Sequence, residues 1–265
     1  MTQSLVNYRT DQYVATITMN DPETLNAIST PLKSAMMNAL EQADADEQIR
    51  VIVLQGAGHH FSSGGHIGEM LENGMESDVL AGKINVMVSE VAEISLKLRN
   101  IHKPIIAKLE GAVAGAAMNL ALTCDFRIAA DNAKFVQAFV NIGLVPDAGG
   151  IYLLNQLIGA AKTTELVMLG DKLSAEDMAR LHLLNEVVSP DELDARVQAL
   201  AMRLSQLPAK ALASMKHMIN THAFMGLNEA LDMEVNQQTM MAKTDDFKEG
   251  VTAFMEKRQP IYVGK

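Results

Sequence analysis

The sequence predicts an α/β fold with strands covered on both faces. Short, continuous apolar runs at Val51–Leu54, Ile105–Lys108 and Phe126–Ala129 are separated by longer stretches with helical spacing of apolar residues. The first two runs are each followed by a turn of small residues, Ser62-Ser63-Gly64-Gly65 and Ala114-Gly115-Ala116-Ala117. Roughly the last 100 residues read almost entirely as helix, which suggests a helical layer on a mixed core.

Taken in order, Val14–Met19 alternates β-branched and apolar residues and runs into Asn20-Asp21-Pro22, a strand ending in a turn. Thr30-Pro31 then supplies a cap and a first-turn proline, and Leu32, Met36 and Leu40 form the buried stripe of a helix predicted over residues 31–43. The strand predicted at Arg50–Gln55 leads into the glycine-rich segment Gly56–Gly65. Ile67 to Asn100 is helical in pattern, with a loose middle at Asn73-Gly74. After Gly150, helices are predicted over Ile151–Leu157 and Thr163–Leu169, and another from Ser174 to His182. Ser189-Pro190-Asp191-Glu192 is a capping box, and Leu193, Val197, Leu200 and Leu204 give the helix it opens an apolar face. Beyond Pro208, Leu212, Met215 and Met218 mark a further helix, and Leu227–Met241 the next. The expected organisation is a core over residues 1–200 and a helical, oligomerising region over 201–265.

Composition narrows the functional classes. A chain of 265 residues with 48% hydrophobic residues affords one large core, and 4% aromatics with 18 Met means packing by aliphatic and thioether side chains. A net charge of −10 argues against a broad nucleic-acid or anionic-membrane surface. No signal pattern or spanning apolar run is evident, and one cysteine makes no internal disulfide, so a cytoplasmic location is expected. Cys124, in an apolar setting, reads as a small buried hydrophobe. His59, His60 and His66 lack the spacing of a metal site, and no metal is expected.

The two small-residue turns suggest chemistry. Backbone N–H groups freed after a strand, or at the start of a helix, are donors suited to a developing oxyanion, and two turns can converge on one carbonyl. Each turn alone is equally an ordinary tight turn. Asp147, in Val145-Pro146-Asp147-Ala148-Gly149-Gly150, reads either as a base in an apolar pocket lined by Met118, Phe139 and Val140 or as the cap of the helix that follows.

With these motifs in place the chain resembles the crotonase superfamily, the enoyl-CoA hydratase and isomerase group. The resemblance rests on Leu25-Asn26-Ala27, on Phe61 to Ile67, on Gly111 to Asp125, on Phe135 to Gly150 and on Phe254-Met255-Glu256-Lys257-Arg258, five segments in the family's order. It implies a crotonase-like spiral of ββα units, an acyl-CoA thioester substrate with no separate cofactor, and an oxyanion hole from the amides of Gly65 and Ala116. It places Leu25, Ala27, Ser63, Gly64, His66, Ile67, Gly115, Met118 and Phe139 around the ligand. Phe254 and Lys257 match positions that meet the nucleotide end of CoA in a neighbouring subunit, so a homotrimer or a dimer of trimers is implied.

The chain departs from the family where hydratases carry two glutamates. Those positions hold Asn119 and Phe139, neither of which is a base at neutral pH. Asp147 remains, at a place resembling the aspartate of the ring-modifying acyl-CoA isomerases of phenylacetate degradation, which share the Ala-Gly-Ala turn and the Gly-Leu-x-Pro-Asp-x-Gly-Gly segment. The expected activity is therefore double-bond isomerisation with Asp147 as single base. Alternatives are a hydratase, a thioesterase or dehalogenase-type enzyme with Asp147 as nucleophile or water activator, and a catalytically silent acyl-CoA-binding protein. Asn119 reads as an acyl- or water-orienting group or as an amide bonded within its own helix.

Overall fold

The computed structural model describes residues 4–72 and 74–265, so Asn73 of the predicted loose segment lies outside the described residues. A six-stranded sheet forms the spine. In spatial order it contains β1 (Val6–Asp11), β2 (Val14–Met19), β3 (Val51–Gly56), β4 (Ile105–Leu109), β6 (Phe126–Ala130) and β9 (Glu186–Val188). Only β1 pairs antiparallel, through the hairpin that returns it to β2; the other pairings are parallel. Val51, Ile52, Val53 and Leu54 are all buried, as a strand covered on both faces requires.

A second sheet sets β5 (Ala112–Ala114) beside β7 (Lys134–Val136) and β8 (Lys172–Ser174). Chain and sheets together make a repeating turn: a strand in the large sheet, a strand in the small one, then a helix. The sequence β4, β5, α4 (Ala116–Thr123) is one such unit, and β6, β7, α5 (Gly150–Leu169) is the next. The β3 unit follows the same path, although its small-sheet strand is reduced to a single bridge, Ser62 with Val113. This ββα winding is the spiral that the resemblance implies.

The helices fill in around it. The first, α1 (Thr30–Ala45), is capped by Ser29, whose Oγ accepts the Leu32 N–H, so Thr30 is already helical. The long helical pattern divides into α2 (Ile67–Leu71) and α3 (Ser77–Asn100). The two helices predicted after Gly150 are one run, α5, broken at Gly159 by a non-helical backbone (φ 76°, ψ 164°). Both predicted caps are present: Ser174 opens α6 (Ala175–Arg180) and Ser189 opens α7 (Pro190–Ser205). Three further helices complete the chain, α8 (Ala209–Ala223), α9 (Leu227–Met241) and α10 (Asp245–Met255). On α8 the expected apolar face does not enter the core, because Met215, Met218 and Ile219 are each more than half exposed. The strands β1, β5, β7, β8 and β9 go beyond what the sequence predicts; all but β1 are three residues long, too short for a period-2 pattern.

One helix of the C-terminal region turns back toward the centre. α10 packs against the 3-10 turn Ala138–Ile142, where a Cβ added at Gly250 meets Ile142 C at 2.7 Å and Cα at 2.8 Å. Those are backbone atoms and cannot swing aside. Gly250→Ala is therefore expected to destabilise the protein by roughly 1 to 3 kcal/mol through forced separation of α10 from this turn, measured by urea unfolding.

Candidate active site

The two small-residue turns meet because the small sheet joins them. Asn26, fully buried and at φ 57°, anchors the first: its Nδ2 donates to Ala57 O (2.8 Å) and His60 O (2.9 Å), and its Oδ1 accepts the Asp21 N–H (2.9 Å). Ser62 Oγ donates to Asn26 O (2.7 Å) and accepts the Gly64 N–H (3.1 Å). The main chain of Ser62 then pairs with β5, its N–H donating to Ala112 O (2.9 Å) and its carbonyl accepting the Ala114 N–H (3.1 Å). Gly64, at φ 90°, passes so close to Ala114 that a Cβ would lie 2.7 Å from its carbonyl oxygen. Only glycine allows that approach.

This zipper puts Gly65 and Ala116 on the wall of one cavity of about 390 Å³. Ala116 opens α4, where the first N–H groups have no partner within the helix. The Gly65 N–H is without an acceptor among the described residues, although Ile28 N–H donates to Gly64 O beside it (2.7 Å). Two backbone donors on one cavity are the arrangement that binds a carbonyl oxygen as it gains negative charge. The remaining wall is mostly hydrocarbon, with Ile67, Met70, Ile84, Val88, Phe139 and Leu144 prominent.

Asp147 is the one carboxyl-bearing residue among those lining this cavity. It is 7% exposed, Gln238 Nε2 stands 3.5 Å from its Oδ2, and its Oδ1 has no hydrogen-bond partner among the described residues. Burial pushes the Asp147 carboxyl up to about 7, against the Lys33 ammonium, which favours the charged form. The turn that presents it is strained: Ala148 follows in the left-handed region at φ 54° and Gly149 at φ 84°. Ser95 Oγ holds that turn through Ala148 O (3.0 Å), and Gln238 Nε2 holds it through Val145 O (2.5 Å).

Asp147 does not cap α5. The cap residue is Gly149, which offers no side chain, and the Gly149 N–H donates instead to Glu234 Oε2 at 2.7 Å, across from α9. Glu234 is itself buried; desolvation raises its carboxyl to about 8, with the Gly149 N–H pulling it down, the Asp147 charge adding to the rise and the Ile151 N–H pulling it down further.

Other predicted residues fall in different places. Ser63, Gly64, Ile67, Gly115 and Phe139 line the cavity. Met118 is 1% exposed, packed into the main core and absent from the cavity wall; Val140, on the 138–142 turn, is absent from it too, its Cγ1 lying against Gly170. Asn119 is not on the wall either. Its Nδ2 donates to Asp147 O (2.8 Å) and its Oδ1 accepts from Gln137 Nε2 (2.7 Å), so the amide steadies the Asp147 backbone and is not satisfied within its own helix. Leu25 and Ala27 lie off the cavity and flank the Asn26 anchor. His66 caps α2 through Nδ1, which accepts the Glu69 N–H (2.9 Å). His60 Nδ1 likewise accepts the Ala112 N–H (3.0 Å).

Phe254 lines this chain's own cavity while remaining more than half exposed, because α10 lies on the 138–142 turn; the expectation had it reaching a neighbour's ligand. Lys257 is exposed beyond α10, and Arg258 next to it is engaged by Glu249, with Nη2 donating to Oε2 at 2.8 Å. Cys124 is buried, Sγ against Leu120 O, and burial pushes its thiol up to about 12, an inert state.

Several polar residues were missed. Gln238 and Lys33 line the cavity, as do Asn141 and the exposed Lys172, and Glu234 sits behind the Asp147 turn. A signal existed for the α9 pair: its buried positions are Leu227, Leu231, Glu234 and Gln238, so two polar residues occupy a stripe whose period calls for apolar ones. Lys33 likewise stands three and seven residues before Met36 and Leu40 on the buried face of α1.

Main-chain donors on an apolar cavity with one carboxyl-bearing residue are what an acyl-binding enzyme requires. Comparison with known proteins agrees: a sequence model of the enoyl-CoA hydratase/isomerase family matches residues 9–265, and the chain belongs to that family. It is 36% identical to the trans-2-decenoyl-[acyl-carrier-protein] isomerase of Streptococcus mutans over 97% of each chain. It is 34% identical to the 1,2-epoxyphenylacetyl-CoA isomerase of Escherichia coli over 95% of each. An enoyl-CoA hydratase from Mycobacterium avium subsp. paratuberculosis superposes with a TM-score of 0.88 at 30% identity, covering 98% of both chains. The protein is thus an enzyme of this family with the crotonase fold.

The raised Asp147 carboxyl carries a stability consequence. The folded state holds its proton more tightly than the unfolded chain does, so its contribution is complete below about pH 4 and is lost as pH rises to about 7. Asp147→Asn, which mimics the protonated form, is expected to raise the melting temperature more at pH 8 than at pH 5, by on the order of 5 °C, read from thermal melts at the two pH values.

Proposed function

We propose that this protein is an acyl-CoA double-bond isomerase in which Asp147 is the single base. The amides of Gly65 and Ala116 bind the thioester oxygen, and the electron pair released when a proton leaves carbon is held as the enolate. On this reading each donor lowers the energy of that enolate by ~3 to 4 kcal/mol. Asp147 takes the proton from one carbon of the acyl group and returns it to another, and the double bond moves between them. One carboxyl serves both steps, so no second acid is needed.

The observation that carries this reading is that Asp147 is the one carboxyl-bearing residue on the cavity wall, while the hydratase glutamate positions hold Asn119 and Phe139. Its proton affinity supports the role: a carboxyl poised near 7 is a far better base toward a carbon acid than one at 4. Two relatives named as isomerases point the same way. The acyl group rides on coenzyme A in this proposal, and no further cofactor enters. Exposed Met215, Met218 and Ile219 on α8, with Met233 and Met240 on α9, support assembly into a homotrimer or a dimer of trimers.

Solvent-deuterium exchange at the acyl carbons tests the chemistry. The wild type is expected to exchange and isomerise an enoyl-CoA, and Asp147→Asn to lose at least ~10³-fold in both. Turnover retained in Asp147→Asn sinks the assignment; free CoA or net addition of water points to the thioesterase or hydratase reading, and binding without exchange to a silent acyl-CoA binder. Because the base must be ionised, kcat/KM is expected to rise with pH through about 7, where Asp147 is half ionised, and to level off beyond it. A flat profile from pH 5 to 8 contradicts that role.

A further inference from the structure

The wall of the acyl cavity contains a buried cation that double-bond migration in a hydrocarbon chain does not require. Lys33 is 3% exposed, and its ammonium donates to Met87 O (3.1 Å) and pairs with Glu90 Oε2 (2.6 Å). An ammonium has three donors, and these partners take two. Lys33 lines the cavity, so the donor left over has the cavity as its outlet. It is also near enough to Asp147 to favour that residue's charged form.

A purely structural account fits poorly. Burying an ammonium carries a desolvation cost that a single ion pair seldom more than offsets, and an apolar residue would seal an acyl cavity walled by Ile84, Met87 and Val88 without it. Glu90, about one-third exposed, pairs with the ammonium and points it, with Thr30 Oγ1 also directed at the same carboxylate (3.4 Å). The arrangement is that of an oriented hydrogen-bond donor.

We propose that Lys33 is a specificity-determining residue that donates to a neutral oxygen on the acyl group, a hydroxyl, ether, epoxide or ring carbonyl close to the carbons that Asp147 serves. The local charge does not favour a carboxylate there: Glu90 already balances Lys33 and ionised Asp147 faces the same space, while the other cation on the wall, Lys172, is exposed and screened by solvent, so a third anion beside Lys33 meets repulsion that Lys172 relieves little. A neutral acceptor takes the third N–H without that penalty. The inference rests on the isomerase reading for its chemistry, and it extends that reading by naming the substrate class.

The test compares kcat/KM for two enoyl-CoA thioesters of equal length, one unsubstituted and one with a hydroxyl or epoxide on the carbons next to the double bond. The wild type is expected to favour the oxygenated substrate. Lys33→Met is expected to lower the oxygenated-to-unsubstituted ratio roughly 10- to 100-fold, as loss of one charge-assisted hydrogen bond implies, and Lys33→Gln, which keeps a donor, to restore part of it. A ratio unchanged in Lys33→Met, or a wild type that favours the unsubstituted substrate, overturns the proposal. Should Lys33→Met fail to fold, the wild-type preference alone decides, measured as competitive binding of the saturated oxygenated and unsubstituted acyl-CoA pair. That binding measurement also separates the two ideas: a preference for the oxygenated ligand without any isomerisation rejects the isomerase reading and retains Lys33.

Discussion

The hydrogen bond from the Gly149 N–H to Glu234 is the contact on which the candidate site depends. A helix that starts with glycines needs an acceptor for its first N–H groups, and the nearest acid in sequence is Asp147. Had Asp147 turned back to accept, its carboxylate would have been held by backbone donors and its proton affinity lowered. Glu234 supplies the acceptor from another helix. Asp147 is thereby left facing an apolar cavity with one oxygen unpartnered, and burial then raises its proton affinity. The cost is a second buried carboxyl, itself shifted toward the protonated form.

The other half of the site depends on backbone pairing. β3 and β4 lie side by side in the large sheet, and the turns that leave them are paired again through Ser62 and Val113 in the small one. Two loops fixed at both levels have little freedom to drift, so the amides of Gly65 and Ala116 are set in place before any ligand arrives. Such preorganisation is what makes backbone donors effective toward developing charge. Asn26 secures the outer edge of the same assembly, which gives the Leu25-Asn26-Ala27 motif a structural basis: the middle residue does the holding while its neighbours stay off the cavity.

Much of this was legible in the sequence. The apolar runs from Val51, Ile105 and Phe126 are the central strands, and Ser174 and Ser189 open their helices as capping chemistry requires. The small sheet was not, because β5, β7 and β8 are three residues each and their order is set by long-range pairing. The two turns that meet at the cavity were visible as small residues after strands, and Asp147 as the acid left over. What stayed hidden came from afar: Glu234 and Gln238 are about 90 residues from the turn they support, and Lys33 more than 100 from Asp147. Met118 was misplaced because periodicity cannot say which face of a fully buried helix meets a ligand, and Asn119 because its partners, Asp147 O and Gln137 Nε2, lie outside its own helix.

The main-chain origin of the carbonyl site has a consequence for how this chain could diverge. On the proposed mechanism the donors at Gly65 and Ala116 are main-chain N–H groups, which a substitution leaves in place provided the turn geometry survives, so thioester recognition would be inherited with the fold itself. The proposed proton-transfer group, Asp147, is a single side chain on a separate turn. On that mechanism one coding change at position 147, or at 119 or 139, would alter the reaction while the grip on the substrate persists, so that relatives of nearly the same shape could differ in their reactions.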